Sequence, residues 1–240
     1  MGTGSRKNEM KKTTKMFVMA ALLMAGSQIH AQEEHQYVDL GLPSGTLWAT
    51  CNVGANSPEE AGDYFAWGET TPKEKYYWTT YKYSYNGAES AFTKYCTDGR
   101  YGDGRHGYNG FYDNLIVLQA GDDAATVTWG NEWCTPTKEQ WDELKSNTTS
   151  SRTTQNGISG RLYTSKKNGS SIFLPLAGYR WDRWENKLEG VGYNAQYWSS
   201  TLNDKDSSMA WAYIITSAEW KVKSINRSSG VSVRPVRSAK

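Results

Sequence analysis

After residue 31 the apolar positions come in short runs separated by clusters of Gly, Pro, Asn, Asp and Ser, and few runs keep a helical period. That punctuation predicts many short strands joined by turns and long connections. Residues 37–42 and 46–50 read as a hairpin around the turn Pro43-Ser44-Gly45. Residues 64–68 are strand-like, as are 161–164 and 171–175 on either side of Lys167-Asn168-Gly169. The bulky run 210–216 predicts a strand with Trp211, Tyr213 and Ile215 facing the core and Ala212, Ile214 and Thr216 on the other face. Helix signals are three. Ser57-Pro58-Glu59-Glu60 supplies a cap, a proline for the first helical position and a capping box, although Gly62 keeps any helix short. Asp122 and Asp123 precede a helical turn leading to Trp129, where an N-terminus favours negative charge. Thr137 and Gln140 make a second capping box before Trp141 and Leu144, which share a face. Residues 69–110 read as a long Tyr-rich loop packed by its own aromatics, 147–157 as a polar flexible segment, and 179–192 as a second aromatic loop. A polar, aromatic-studded loop is expected over 217–229. Loops held up by a β scaffold are the layout of a recognition module rather than a catalyst.

The N-terminus changes the charge and the location. Lys11, Lys12 and Lys15 precede the apolar run 16–26, which is too short to span a bilayer, and a cleavage site follows Ala31. Residues 1–31 therefore read as a signal peptide, with Met10 the better start, and 32–240 as a single mature domain. That leader has a net charge of +4, so the formal net charge of +2 becomes −2 without it. A nearly neutral mature chain with interspersed charges gives no electrostatic case for nucleic acid. With 11 Trp and 16 Tyr, a loop-rich chain can still build a core from aromatic area. Trp48, Trp67, Trp129, Trp141 and Trp198 are the expected core tryptophans.

Motifs for chemistry are few. The only cysteines are Cys51, Cys96 and Cys134. Export permits a disulfide, and Cys96–Cys134 in the same middle region is the candidate pair, with three free thiols the alternative. Glu59 and Glu60 are explained by a cap. The glycine-rich run 99–110 lacks a following Gly-Lys-Ser/Thr and the twelve-residue calcium pattern. His35 and His106 are the mature histidines, and neither Gly-x-Ser-x-Gly nor His-Glu-x-x-His occurs. Leu202-Asn203-Asp204 is a turn before it is a calcium ligand pair.

Several ordered segments together carry a resemblance. They are residues 37–42 with 48–55, Gly62 to Glu69, Asp122 to Ala125 with Pro136-Thr137, Phe173-Leu174-Pro175, and Tyr197 to Ser200 with Ser232 to Val236. In these the chain resembles the Fibrobacter succinogenes major paralogous domain family of exported Bacteroidetes proteins, over nearly its whole mature length. The resemblance implies an α+β, C-type-lectin-like fold: short helices around a small twisted antiparallel sheet with long loops. The chain is also similar to the formylglycine-generating enzyme group, whose chemistry relies on cysteines late in the chain. None follows Cys134 here. Some relatives of that fold are variable proteins of diversity-generating retroelements, with exposed variable positions near the C-terminus. The corresponding positions here would be Glu219, Lys221, Lys223–Asn226, Ser228 and Ser229, beside Arg227 and Gly230 as scaffold.

The expected function is an exported ligand-binding or adhesion module, periplasmic, surface-bound or secreted, that recognises a protein or glycan. A retroelement-type variable protein, a structural surface subunit and an enzyme are the alternatives, in that order. No cofactor, metal, nucleic acid or transmembrane segment of the mature chain is expected. Trp181, Trp184, Trp220, Lys221, Lys223, Asn226 and Arg227 are the expected ligand contacts, because Trp and Arg bring large contact area at modest entropy cost.

Overall fold

The computed structural model describes residues 35–102, 112–181, 187–216 and 219–238. The leader at 1–31 and His106 lie outside them. Strands account for 36% of the described residues and helix for 13%. The expectation of an α+β fold with helices around one small sheet is therefore corrected: the molecule is β-rich, with two α-helices and four sheets among the described residues.

The strands run β1 (Tyr37–Asp39), β2 (Thr46–Ala49), β3 (Tyr64–Phe65), β4 (Thr148–Gln155), β5 (Ile158–Ser165), β6 (Ser171–Pro175), β7 (Tyr179–Arg180) and β8 (Leu188–Glu189). They continue with β9 (Ala195–Leu202), β10 (Met209–Ile215), β11 (Trp220–Asn226), β12 (Val231–Ser232) and β13 (Val236–Ser238), and the helices are α1 (Ala124–Trp129) and α2 (Lys138–Asn147). The central sheet has the order β11-β10-β9-β12-β3. The hairpin β1–β2 forms as the sequence predicts and gains β13 on its other side.

Two polar segments that read as loops are strands. Residues 148–155 pair antiparallel with β5 over eight positions, from Thr148↔Ser165 to Gln155↔Ile158. The turn between them is Asn156-Gly157, both at positive φ (47° and 82°), as a two-residue hairpin requires. Residues 220–226 pair with β10 over seven positions as β11. Residues 57–60 go the other way. They make only a turn, closed by Glu60 N–H to Ser57 C=O, while the Glu60 carboxylate accepts from Asn56 N–H at 2.8 Å. The other two caps hold. Asp123 Oδ1 accepts from the N–H groups of Ala125 and Thr126, and Thr137 and Gln140 close a reciprocal box on α2.

The central sheet divides two hydrophobic clusters. Ala210, Ala212, Trp198 and Leu202 face one, and Tyr213, Ile215, Ala195 and Tyr197 face the other. The expected two-faced strand at 210–216 is thus buried on both sides, because α2 covers one face and the Tyr-rich segment the other. Tyr213 stacks on Trp141 of α2 at 4.7 Å and 3°. Trp211 stays half-buried with Lys138 Nζ 5.5 Å above its ring. The five tryptophans assigned to the core are all buried. All three cysteines are free thiols, so the Cys96–Cys134 pairing is corrected: Cys96 lies in the core with its thiol on Asp98 C=O, and Cys134 is on the surface, bridged to Val236.

Arg227 is fully buried. Its guanidinium donates to Tyr81 Oη (2.9 Å), Tyr95 C=O (2.9 Å), Ser207 C=O (2.8 Å) and Lys94 C=O (3.0 Å). The rings of Trp67, Tyr81, Phe92 and Tyr95 surround it at 4.6–5.9 Å. Arg234, also fully buried, does the same for the N-terminal hairpin, donating to Asn52 Oδ1 and the carbonyls of Ala49 and Thr50. Replacing Arg227 by Met strands these acceptors, at about 1–3 kcal/mol for each one left unpaired. Arg227→Met is expected to lower unfolding stability by roughly 3 kcal/mol or more in urea titration of residues 32–240, whereas exposed Lys221→Ala should stay within about 0.5 kcal/mol. Equal midpoints for Arg227→Met and the parent would contradict this.

Candidate functional site

The alternation Trp220-Lys221-Val222-Lys223 has a period of two, and the structure uses it. Trp220 and Val222 pack on the Tyr213 cluster, while Lys221 and Lys223 are exposed. Opposite residues of an antiparallel pair share a face, so Lys223 sits across from Ala212 and Ile225 across from Ala210. β11 is the edge of its sheet.

The short ribbon β7–β8 lies against the end of this edge. Arg180 and Gly230 exchange both backbone hydrogen bonds, at 2.8 and 2.9 Å. On its other side Gly230 packs on the Tyr76 ring, which a Cβ there would meet at 2.8 Å. The ribbon thereby brings Tyr179 and Trp181, with ring centroids 6.2 Å apart, beside the last residues of β11. Between them is a groove of about 230 Å³ lined by Tyr179, Trp181, Gln196, Met209, Lys223, Ser224, Ile225, Asn226 and Ser229. It is smaller than the roughly 300–1,000 Å³ of an ordinary small-molecule pocket, so it holds one ring or side chain of a ligand rather than a whole cofactor.

Of the seven expected contacts, Trp181, Lys223 and Asn226 meet in this groove. Arg227, Trp220 and Lys221 lie outside it. Arg227 is corrected from a contact to a core residue, fully buried in its aromatic cage. Trp220 is half-buried under the Arg161 guanidinium, 4.0 Å from its ring. Lys221 pairs with Glu219 at 2.6 Å outside the groove. Trp184 lies outside the described residues. Sequence reasoning missed Tyr179, Gln196 and Met209. The available signal for Gln196 was its place between inward-facing Ala195 and Tyr197. No protein-family model, curated protein or solved structure matches this chain.

Two other features were candidates. A shallow depression of about 570 Å³ beside α1 is lined by Ala120, Gly121, Thr126, Val127, Gly130, Asn131 and Glu132, and the Glu132 carboxylate there already meets Arg237 at 3.3 Å. The second is the buried carboxylate of Asp122. It accepts from the hydroxyls of Tyr83 and Tyr95 and from Lys94 (2.5 Å) and Lys82 (3.2 Å). With every lone pair occupied it ties the Tyr-rich segment to α1 and leaves nothing for a substrate. Among the described residues no cluster of His, Cys, Asp and Glu could hold a metal ion, and no helix is long and apolar enough to cross a membrane.

Burial raises the Asp122 pKa, but the hydrogen bonds from Lys94, Tyr83, Tyr95 and Lys82 outweigh it and bring the carboxyl from 3.8 to about 2. A depressed folded-state value means the stabilisation is complete above the unfolded value and is lost as pH falls through the folded one. Neighbouring Asp123 shifts upward through burial, so its contribution has the opposite sign and the parent's total acid profile mixes the two. The difference isolates Asp122: the stability gap between parent and Asp122→Asn should be constant above pH 4 and shrink between about pH 4 and 2 in denaturant titrations. A gap that does not change over that range would contradict the assignment.

Proposed function

We propose that this chain is an exported binding module of the resembled Fibrobacter succinogenes major paralogous family, and that it holds part of a protein or glycan ligand in the groove at the β11 edge. The observation that carries the reading is the meeting of Trp181, Lys223 and Asn226, from two separate stretches of chain, in one groove. An aromatic plane beside a few directed polar groups is a general recognition arrangement. The described residues that line the groove include no carboxylate, imidazole or thiol, which favours recognition over the acid–base or nucleophilic groups that hydrolytic or transfer chemistry uses. Export rests on the basic-then-apolar leader.

Polymerisation through the β11 edge is the less favoured reading. Lys221 and Lys223 project, exposed, from that strand, and lysines on an edge strand discourage pairing with another chain.

Screening residues 32–240 on glycan and host-protein arrays, with and without chelator, tests the proposal. Trp181 is 37% exposed, so its removal should leave the fold intact. Trp181→Ala is expected to weaken the array binding about 30-fold, as for a central aromatic contact worth about 2 kcal/mol. Binding that this variant keeps in full would place the ligand elsewhere.

A further inference from the structure

The groove's polar side chains point to the chemistry of what fills it. Gln196 and Asn226 are both half-buried, and neither side-chain amide hydrogen-bonds to any described residue. Each amide offers donors and an acceptor side by side, a combination that matches ligand hydroxyls, which also donate and accept. The Lys223 ammonium is also without a carboxylate among the described residues. Nearby Lys221 is neutralised by Glu219 at 2.6 Å, and Lys138 by Asp142 at 3.1 Å. In the described part of the adjoining ribbon, the Glu189 carboxylate is engaged by the Tyr179 hydroxyl. One positive charge, two open amides and the exposed indole of Trp181 therefore border the same 230 Å³.

Resting on the groove reading above, we infer that the ligand is an acidic saccharide. A sugar carboxylate meets Lys223, ring hydroxyls meet Gln196 and Asn226, and the apolar face of the ring lies on Trp181. Each part has a physical reason. A charge-assisted hydrogen bond to an otherwise unpaired ammonium is the strongest single contact available here. The groove's size accommodates one ring. An acidic peptide would also satisfy Lys223, and poly-glutamate distinguishes it from a saccharide.

The test uses residues 32–240 against immobilised polygalacturonate and hyaluronan, each beside its carboxyl-reduced neutral form, and against poly-glutamate. The acidic polysaccharides should bind and their reduced forms should bind at least about tenfold more weakly, the factor that a charged hydrogen bond of about 1.5 kcal/mol provides. Lys223→Gln should erase that preference while Lys223→Arg keeps it, and Gln196→Ala should weaken both forms. Lys223 is exposed, so its variants should match the parent in urea midpoint. Equal binding of acidic and reduced forms, lost in Trp181→Ala, would overturn the acidic inference and leave the groove reading standing. Poly-glutamate binding as well as the polysaccharides would overturn the saccharide in favour of a peptide. No polysaccharide binding by the folded chain would overturn the inference, and protein-array binding that depends on Trp181 would then separate its failure from that of the groove.

Discussion

A fully buried guanidinium that, among the described residues, has no carboxylate partner is the constraint on which this structure depends. Arg227 reaches full burial because four oxygens and four aromatic rings from different parts of the chain converge on it. A buried charge is tolerated only when it is fully hydrogen-bonded, so those oxygens cannot drift independently. Tyr81, Lys94 and Tyr95 belong to a segment with hardly any regular secondary structure, and Arg227 supplies what a ladder of backbone bonds would otherwise provide. Its own backbone closes the knot, with Trp67 N–H donating to its carbonyl at 2.9 Å and its N–H donating to Ser208 C=O at 3.1 Å. The many tyrosines of the segment thus act as core, in keeping with the raised pKa values that burial gives Tyr81, Tyr83 and Tyr95.

The same residue links scaffold to site. β11 ends at Asn226, so the fixed position of Arg227 sets where the strand stops and where the chain turns towards Gly230. The Ser229 N–H to Asn226 C=O bond makes that turn, and the Arg180–Gly230 pair docks the ribbon carrying Trp181 against it. The groove is therefore bordered by a strand end, a tight turn and a ribbon, all joined by backbone hydrogen bonds. Such a border presents its side chains without the ordering cost that a free loop would incur on binding.

Much of this was legible in the sequence and some was not, for physical reasons. The N-cap at Asp123 and the capping box at Thr137 were readable because caps are local chemistry, satisfied within a few residues. The strand over 148–155 was not recognised because its residues are Thr, Ser, Arg and Gln, with little hydrophobic pattern, and its partner β5 supplies the reason to extend. Asn156-Gly157 was its local signal. β11 had a period-two pattern, but Lys and Ser at alternate positions resemble a solvated loop until β10 is seen beside it. Two of the groove contacts, Trp181 and Lys223, could be guessed as exposed aromatic and basic residues. Arg227 could not be distinguished from them, since its burial depends on rings more than 130 residues away. The α+β expectation came from the resemblance, and the extra pairing of polar segments is what makes the molecule β-rich.

Hydrogen exchange of residues 32–240, free and saturated with the tightest ligand found on the arrays, tests the central claim most directly. The account requires new amide protection at 179–181, 195–197 and 223–229, with 76–96 already protected in the free protein and unchanged. Protection gained instead beside α1, over 120–132, or fast exchange throughout 76–96 in the free protein, would contradict it.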